Sequence, residues 1–156
     1  MSVRRAKETD IPRLKELLLQ VLNVHAKERP DLFIPNTTKY SSDELRHMIA
    51  NEETPIFVIE DEEGVVAGYA MCEIHHRLHS ENMTDILTVF IDDLCVDEIK
   101  RNGHYGSRLY AAVKDFARKI GAYHVTLNVW TCNEPAIGFY RAMGLTPMEY
   151  VMEEIL

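Results

Sequence analysis

The chain has 156 residues, of which 46% are apolar and 27% charged, and a formal net charge of −8. That length carries one domain with a real core and is short for two, so residues 1–156 are expected to form a single domain, and the composition excludes a disordered chain. An acidic balance without a basic cluster argues against phosphate-backbone recognition, so no nucleic-acid partner is expected, and the apolar runs fall short of a bilayer span.

Cys72, Cys95 and Cys132 are odd in number and widely spaced, which predicts neither a disulfide framework nor a zinc site. They read as reduced thiols of a cytoplasmic protein. The start of the chain is charged and lacks the apolar stretch of a secretory signal.

A short extended segment is expected around Val3. Thr9 or Asp10 then caps a helix that accepts Pro12 in its first turn, with Leu14, Leu17, Leu18, Val21 and Leu22 forming one stripe. From His25 to Tyr40, Pro30 and Pro35 and the lack of a period predict a long loop or broken helix. Ser41 to Glu44 has the pattern of a capping box, followed by Leu45, Met48 and Ile49 on one face of a second, short helix.

Pro55–Glu60, the turn Asp61-Glu62-Glu63-Gly64 and Val65–Ile74 read as a hairpin. A polar loop is expected over His75–Met83, then a long strand over Ile86–Val96. That strand runs into Arg101-Asn102-Gly103-His104-Tyr105-Gly106-Ser107-Arg108-Leu109, which opens a helix carrying Leu109, Ala112, Val113, Phe116 and Ile120 and closing at Gly121. Val125, Leu127 and Val129 alternate as a strand. Asn133 caps a last helix with Pro135 in its first turn, Gly144 ends it, and residues Leu145–Leu156 suggest final extended segments. The order of elements predicts one α/β domain with a mixed sheet.

The glycine run carries chemistry in one of two ways. It is a tight strand-to-helix turn, or a cradle in which the free amides of the helix start and the positive end of its dipole receive an anion. It lacks both the dinucleotide fingerprint and the Walker pattern. It resembles the acyl-CoA-binding signature of the Gcn5-related N-acetyltransferase (GNAT) superfamily, (Arg/Gln)-x-x-Gly-x-(Gly/Ala), through Arg101, Tyr105 and Gly106, with His104 where glycine is usual and Gly103 before it. Ile91-Asp92-Asp93-Leu94-Cys95-Val96 resembles that family's fourth strand, and residues 133–145 resemble its Asn-x-x-Ala-x-x-Phe-Tyr-x-x-x-Gly-Phe segment.

The resemblance implies a mixed, mostly antiparallel twisted sheet flanked by helices, whose splayed central strand pair binds acyl-CoA. It implies an acetyl-CoA-dependent N-acetyltransferase in which a primary amine of a small molecule or peptide attacks the thioester in a ternary complex. Acetyl-CoA would be held by Leu94, Cys95, Val96, Arg101, Asn102, Gly103, His104, Tyr105, Gly106, Ser107, Asn133 and Tyr140. Lys100, Arg101, His104 and Arg108 add local positive charge, although a solvated face is the expected role of Lys100. The His104 imidazole is expected to lie outward. A homodimer is compatible with all of this. The alternatives are a noncatalytic acyl-CoA sensor or scaffold, and a protein acetyltransferase.

By resemblance Tyr140 meets the departing thiolate. Reference pKa values of ~10 for tyrosine and ~8.5 for a thiol make full proton transfer uphill by about 2 kcal/mol, so a stabilising hydrogen bond is an equal alternative. An amine of pKa ~10.4 is neutral in only about one molecule per thousand at pH 7, so a base is needed. Asp92 and Asp93 are the candidates. Strand alternation lets at most one of them face the acceptor, and the resemblance selects Asp92, with a structural carboxylate as the competing reading. Glu73, His75, His76 and His79 are further acceptor-side candidates, but their spacing predicts no metal site. Trp130 and Cys132 are expected to pack or to line the pantetheine channel, and the loop from His25 to Tyr40 to form a lid over the acceptor.

Overall fold

The computed structural model describes residues 2–77, 81–101 and 103–156. Strands β1 (Ser2–Arg5), β2 (Ile56–Glu60), β3 (Val66–Arg77), β4 (Ile86–Val96) and β5 (His124–Leu127) form one sheet in that order. The first four pair antiparallel and β5 joins β4 in parallel. Helices α1 (Ile11–Glu28) and α2 (Ser42–Ala50) cover one face. Helix α3 (Tyr105–Lys119) covers the other, and α4 (Glu134–Ala142) packs beside it through Phe139.

Both faces are buried, and β2 shows how alternation divides them. Ile56 and Val58 pack with Leu14, Leu17, Leu18 and Leu45 of the α1 layer, whereas Phe57 and Ile59 pack with Leu109 and Val113 of α3. Each fully buried leucine of α1 contributes about 2 kcal/mol by leaving water. Gly68 is required by the close approach of β3 to β4, because a Cβ there would lie 2.6 Å from the Cys95 carbonyl oxygen.

Several expectations are corrected. Helix α1 continues to Glu28, so the loop after it begins only at Arg29. Asp10 does not cap α1 with its side chain; its carboxylate accepts from the Lys7 N–H and pairs with Arg4. The Ser41–Glu44 capping box is present, each side chain reaching the other's backbone N–H. Strand β3 extends through His75 and His76 to Arg77, taking the start of the expected loop, and β5 ends before Val129. Residues 145–156 form no strand; Leu145 packs against the core, and the apolar side chains from Met148 onward lie in solvent.

The largest correction concerns β4. Met71 pairs with Asp93 but Cys72 pairs with Ile91, so Asp92 is the extra residue of a β-bulge. Before the bulge Val89 and Ile91 face α3; after it Leu94 and Val96 pack on that side and Cys95 faces α1. The bulge therefore sends Asp92 and Asp93 to the same face, where their partners Tyr40 and Tyr69 lie. The expectation that alternation separates them fails for this reason.

Candidate active site

Strand β5 pairs with β4 only from Thr88 to Ile91. Beyond that point β4 has no strand neighbour on its β5 side among the described residues, and its segment from Leu94 to Val96 borders a cavity of about 600 Å³. Leu94, Cys95 and Val96 line it, together with Arg101, His104, Gly106 and Ser107 from the start of α3 and Asn133, Pro135, Ala136, Phe139 and Tyr140 from α4. The volume suits a ligand held by many apolar contacts and a few polar ones.

The α3 end is built for an anion. Its first amides lack intrahelical acceptors, and among the described residues no side chain caps them. His104 sits at φ +60° in the left-handed region, which explains why glycine is usual there; histidine tolerates it better than most residues. Its side chain is exposed, as expected. A Cβ on Gly106 would sit 3.2 Å from the Phe139 ring, so glycine lets α3 and α4 meet closely at the cavity. Ion pairing removes Lys100 from the site, since it binds Asp61 at 3.1 Å.

Of the sequence-predicted donor residues, Gly103 and Tyr105 do not line this cavity. The Tyr105 ring is instead buried in the α3 core, because its position as the first residue of α3 turns it inward. Asn102 lies outside the described residues, as does His79. Cys95 offers backbone only. Its sulfur approaches the Leu17 carbonyl at 3.6 Å on the opposite face, and burial pushes the thiol up to about 12. Asn133 caps α4 as expected, accepting the Ala136 N–H.

A second and larger cleft, about 2290 Å³, opens on the other side of the same strand gap. Asp92 and Asp93 line it, with His25, Phe33 and Lys39 from the α1 end and the following loop. Asp92 accepts from Lys39 Nζ at 2.7 Å and from the Tyr40 hydroxyl at 2.6 Å. Asp93 accepts from the Tyr69 hydroxyl at 2.7 Å. Burial pushes the Asp93 carboxyl up to about 6, against the opposing pull of that hydrogen bond and of Lys39. Burial and these carboxylates hold the phenols of Tyr69 and Tyr40 well above their ordinary range.

The loop after α1 is pinned by aromatic contacts. His25 stacks on Phe33 at 5.3 Å, and Phe33 meets Trp130 edge-on at 5.4 Å. Trp130 thus lines the larger cleft and not the 600 Å³ cavity. His75 and His76 also border the cleft but pair with Glu73 and Glu53, and among the described residues no cluster could hold a metal. Sequence reasoning missed Tyr69 and Lys39. A tyrosine inside an otherwise apolar strand was the available signal for the first; the second had none.

Tyr140 lines both cavities, as do Leu94, Asn133 and Ala136. Its ring packs edge-on to Phe139 at 5.2 Å, and its hydroxyl has no hydrogen-bond partner among the described residues. Burial, reinforced by the nearby Asp93, keeps that phenol protonated far above its usual range.

No helix among the described residues is long and apolar enough to cross a membrane. The sequence matches the profile of the acetyltransferase (GNAT) family over residues 18–145. No curated protein matches it. Among solved structures it resembles a tetramutant of the BH1408 protein from Bacillus halodurans, with TM-score 0.96 and 28% identity over 100% of each chain. An aminoglycoside acetyltransferase from an uncultured soil metagenomic sample shares the fold at TM-score 0.74 and 21% identity, covering 99% of this chain and 94% of that one. So does the aminoglycoside N-acetyltransferase AAC(6')-Iy, solved with CoA, at TM-score 0.70 and 17% identity, covering 99% and 98%. With its five-stranded, mostly antiparallel sheet flanked by helices and its matching profile, this chain belongs to the GNAT acetyltransferase family, whose members use acyl-CoA.

Proposed function

We propose that the chain is a single N-acetyltransferase domain that moves the acetyl group of acetyl-CoA onto a primary amine of a small molecule or peptide. The observation that carries this reading is Tyr140 at the junction of the donor cavity and the acceptor cleft. Acetyl-CoA would lie along the open edge of β4, its pantetheine arm paired with the backbone of Leu94 to Val96 and its pyrophosphate at the amides of Gly106 and Ser107.

The acceptor enters from the cleft as an ammonium. Lys39 Nζ on Asp92 supports this reading, because it shows that the carboxylate holds an alkylammonium. Asp92 takes the proton, and Asp93 behind it adds a second negative charge that helps to hold the cation. The amine nitrogen then attacks the thioester carbon, and a backbone N–H near Val96 receives the developing oxyanion. As the C–S bond breaks, the Tyr140 hydroxyl donates to the sulfur. The high affinity of that phenol for its proton favours a hydrogen bond over full transfer. The products are an acetamide and CoA.

Thiol release from acetyl-CoA across a panel of amines, beside calorimetry with CoA, tests this. At least one amine class should release CoA faster than buffer. Cofactor binding with no accelerating amine would overturn the enzyme reading.

A further inference from the structure

Lys39 is held at Asp92 by its own neighbours. Tyr40, the next residue, donates its hydroxyl to the second Asp92 oxygen at 2.6 Å, while Lys39 Nζ meets the first at 2.7 Å. Thr38 Oγ1 donates to the Tyr40 carbonyl at 3.2 Å, which closes the chain around Lys39. The Tyr40 ring lies 5.4 Å from Nζ, within reach of a cation–π contact. On its two sides the segment is tied to helices, through the Asn36 N–H on the Asn23 side chain at 2.9 Å and through the Ser41 capping box of α2. The backbone therefore delivers one ammonium to one carboxylate.

That ion pair is a weak reason for the lysine to be there. The Lys39 side chain is 44% exposed, and pairs of this kind contribute about 0–1 kcal/mol. Asp92 keeps the Tyr40 hydrogen bond without it. The second lysine on the cleft, Lys114, lies over the Tyr110 ring, and Lys100 pairs with Asp61. Lys39 alone among the described lysines reaches Asp92 or Asp93.

Its chemistry is that of an acceptor. The Lys39 side chain is a primary alkylamine, and its nitrogen sits on the carboxylate that would take the proton of an incoming amine. Attachment to the chain gives it a local concentration far above that of a free amine.

We infer that Lys39 is an internal acceptor, a modification site that the protein acetylates on itself; this rests on the acetyltransferase reading above. Nζ gives a proton to Asp92 and attacks the acetyl carbon of the thioester. The C–N bond forms, the C–S bond breaks, and CoA leaves as the thiolate, which regains a proton from Tyr140 or solvent. The products are N-acetyl-Lys39, CoA and one released proton. The acetamide carries no charge, so it no longer occupies Asp92, and that carboxylate becomes free for an external ammonium.

The test incubates the full chain with acetyl-CoA and follows each lysine by peptide mass spectrometry. Lys39 should gain one acetyl group well ahead of every other lysine, with a rate constant unchanged on dilution of the protein. Asp92→Asn, shown by calorimetry still to bind CoA, should slow Lys39 to the rate of the exposed lysines, which chemical acetylation sets in both proteins. Lys39 reacting no faster than those lysines, a rate that rises with protein concentration, or an undiminished rate in Asp92→Asn would each overturn the inference. A parallel amine panel separates the two readings. Free amines that release CoA while Lys39 stays unmodified overturn only the internal acceptor, and silence from both overturns the acetyltransferase as well.

Discussion

The two sides of the β4 gap are built from different materials. The donor side is backbone and apolar surface: the open strand edge, the first turn of α3 and the apolar side chains of α4. The acceptor side is a set of titratable side chains in mutual contact, with Asp92 on Lys39 and Tyr40 and Asp93 on Tyr69. In the proposed reaction, backbone groups hold a cofactor that every turnover shares and do so without responding to pH, whereas side chains carry proton transfer and selectivity. Donor-side changes should thus act through shape, and acceptor-side changes through charge.

The largest effect is expected from Asp92→Asn, which removes the proposed proton acceptor and should lower kcat about 10³-fold, the middle of the range for a lost general base, while calorimetry finds CoA binding unchanged. Weakened CoA binding would erase the division between the two sides.

Asp93→Asn should separate function from stability. Its carboxyl holds its proton up to about 6 in the folded chain against 3.8 in the unfolded one. As pH rises from about 4 to 6 the unfolded chain is the first to release that proton, so folding stability falls across that window. The loss is up to about 3 kcal/mol above it. Thermal unfolding should therefore show Asp93→Asn melting several degrees above the parent at pH 8 and close to it at pH 4. The same variant should lose the rise in kcat/KM for the amine through about pH 6. An unchanged melting difference between the two pH values would refute the assignment.

On the donor side, Gly106→Leu drives a branched side chain toward Phe139. CoA affinity should drop about 30-fold, roughly 2 kcal/mol, by calorimetry, with the pH profile unaltered. Tyr140→Phe removes the hydrogen bond proposed to the leaving sulfur and should cut kcat about tenfold at constant CoA affinity. The smallest effect is reserved for His104→Gly. It relieves a left-handed conformation worth about 1 kcal/mol and should raise the melting temperature by a few degrees while leaving CoA binding within twofold.

The same division explains what could be read from the sequence. Donor-side signals are local: Asn133 caps the helix that follows it, Pro135 opens that helix, and Gly106 follows the end of β4 at Val96 by ten residues. The acceptor side rests on contacts between distant parts of the chain. Lys39 and Tyr40 reach Asp92 across more than fifty residues, and Tyr69 reaches Asp93 across 24. Period-two reasoning placed one aspartate in the site because a bulge is a property of two strands in register and leaves no mark on either one alone. The helical stripe of α1 was legible, but its last turn was hidden by the aperiodic segment that follows. The last segment, expected to be extended, carries the apolar residues of a strand, yet residues 145–156 form none.

Trp130 is the chain's only tryptophan. It touches Phe33 of the loop, lies 6.0 Å beneath the guanidinium of Arg29, and through that arginine is linked to Glu153 of the tail. The emission of one fluorophore thus answers to the loop and the tail together. The protein carries an intrinsic optical probe of its larger cleft, readable in real time without a label.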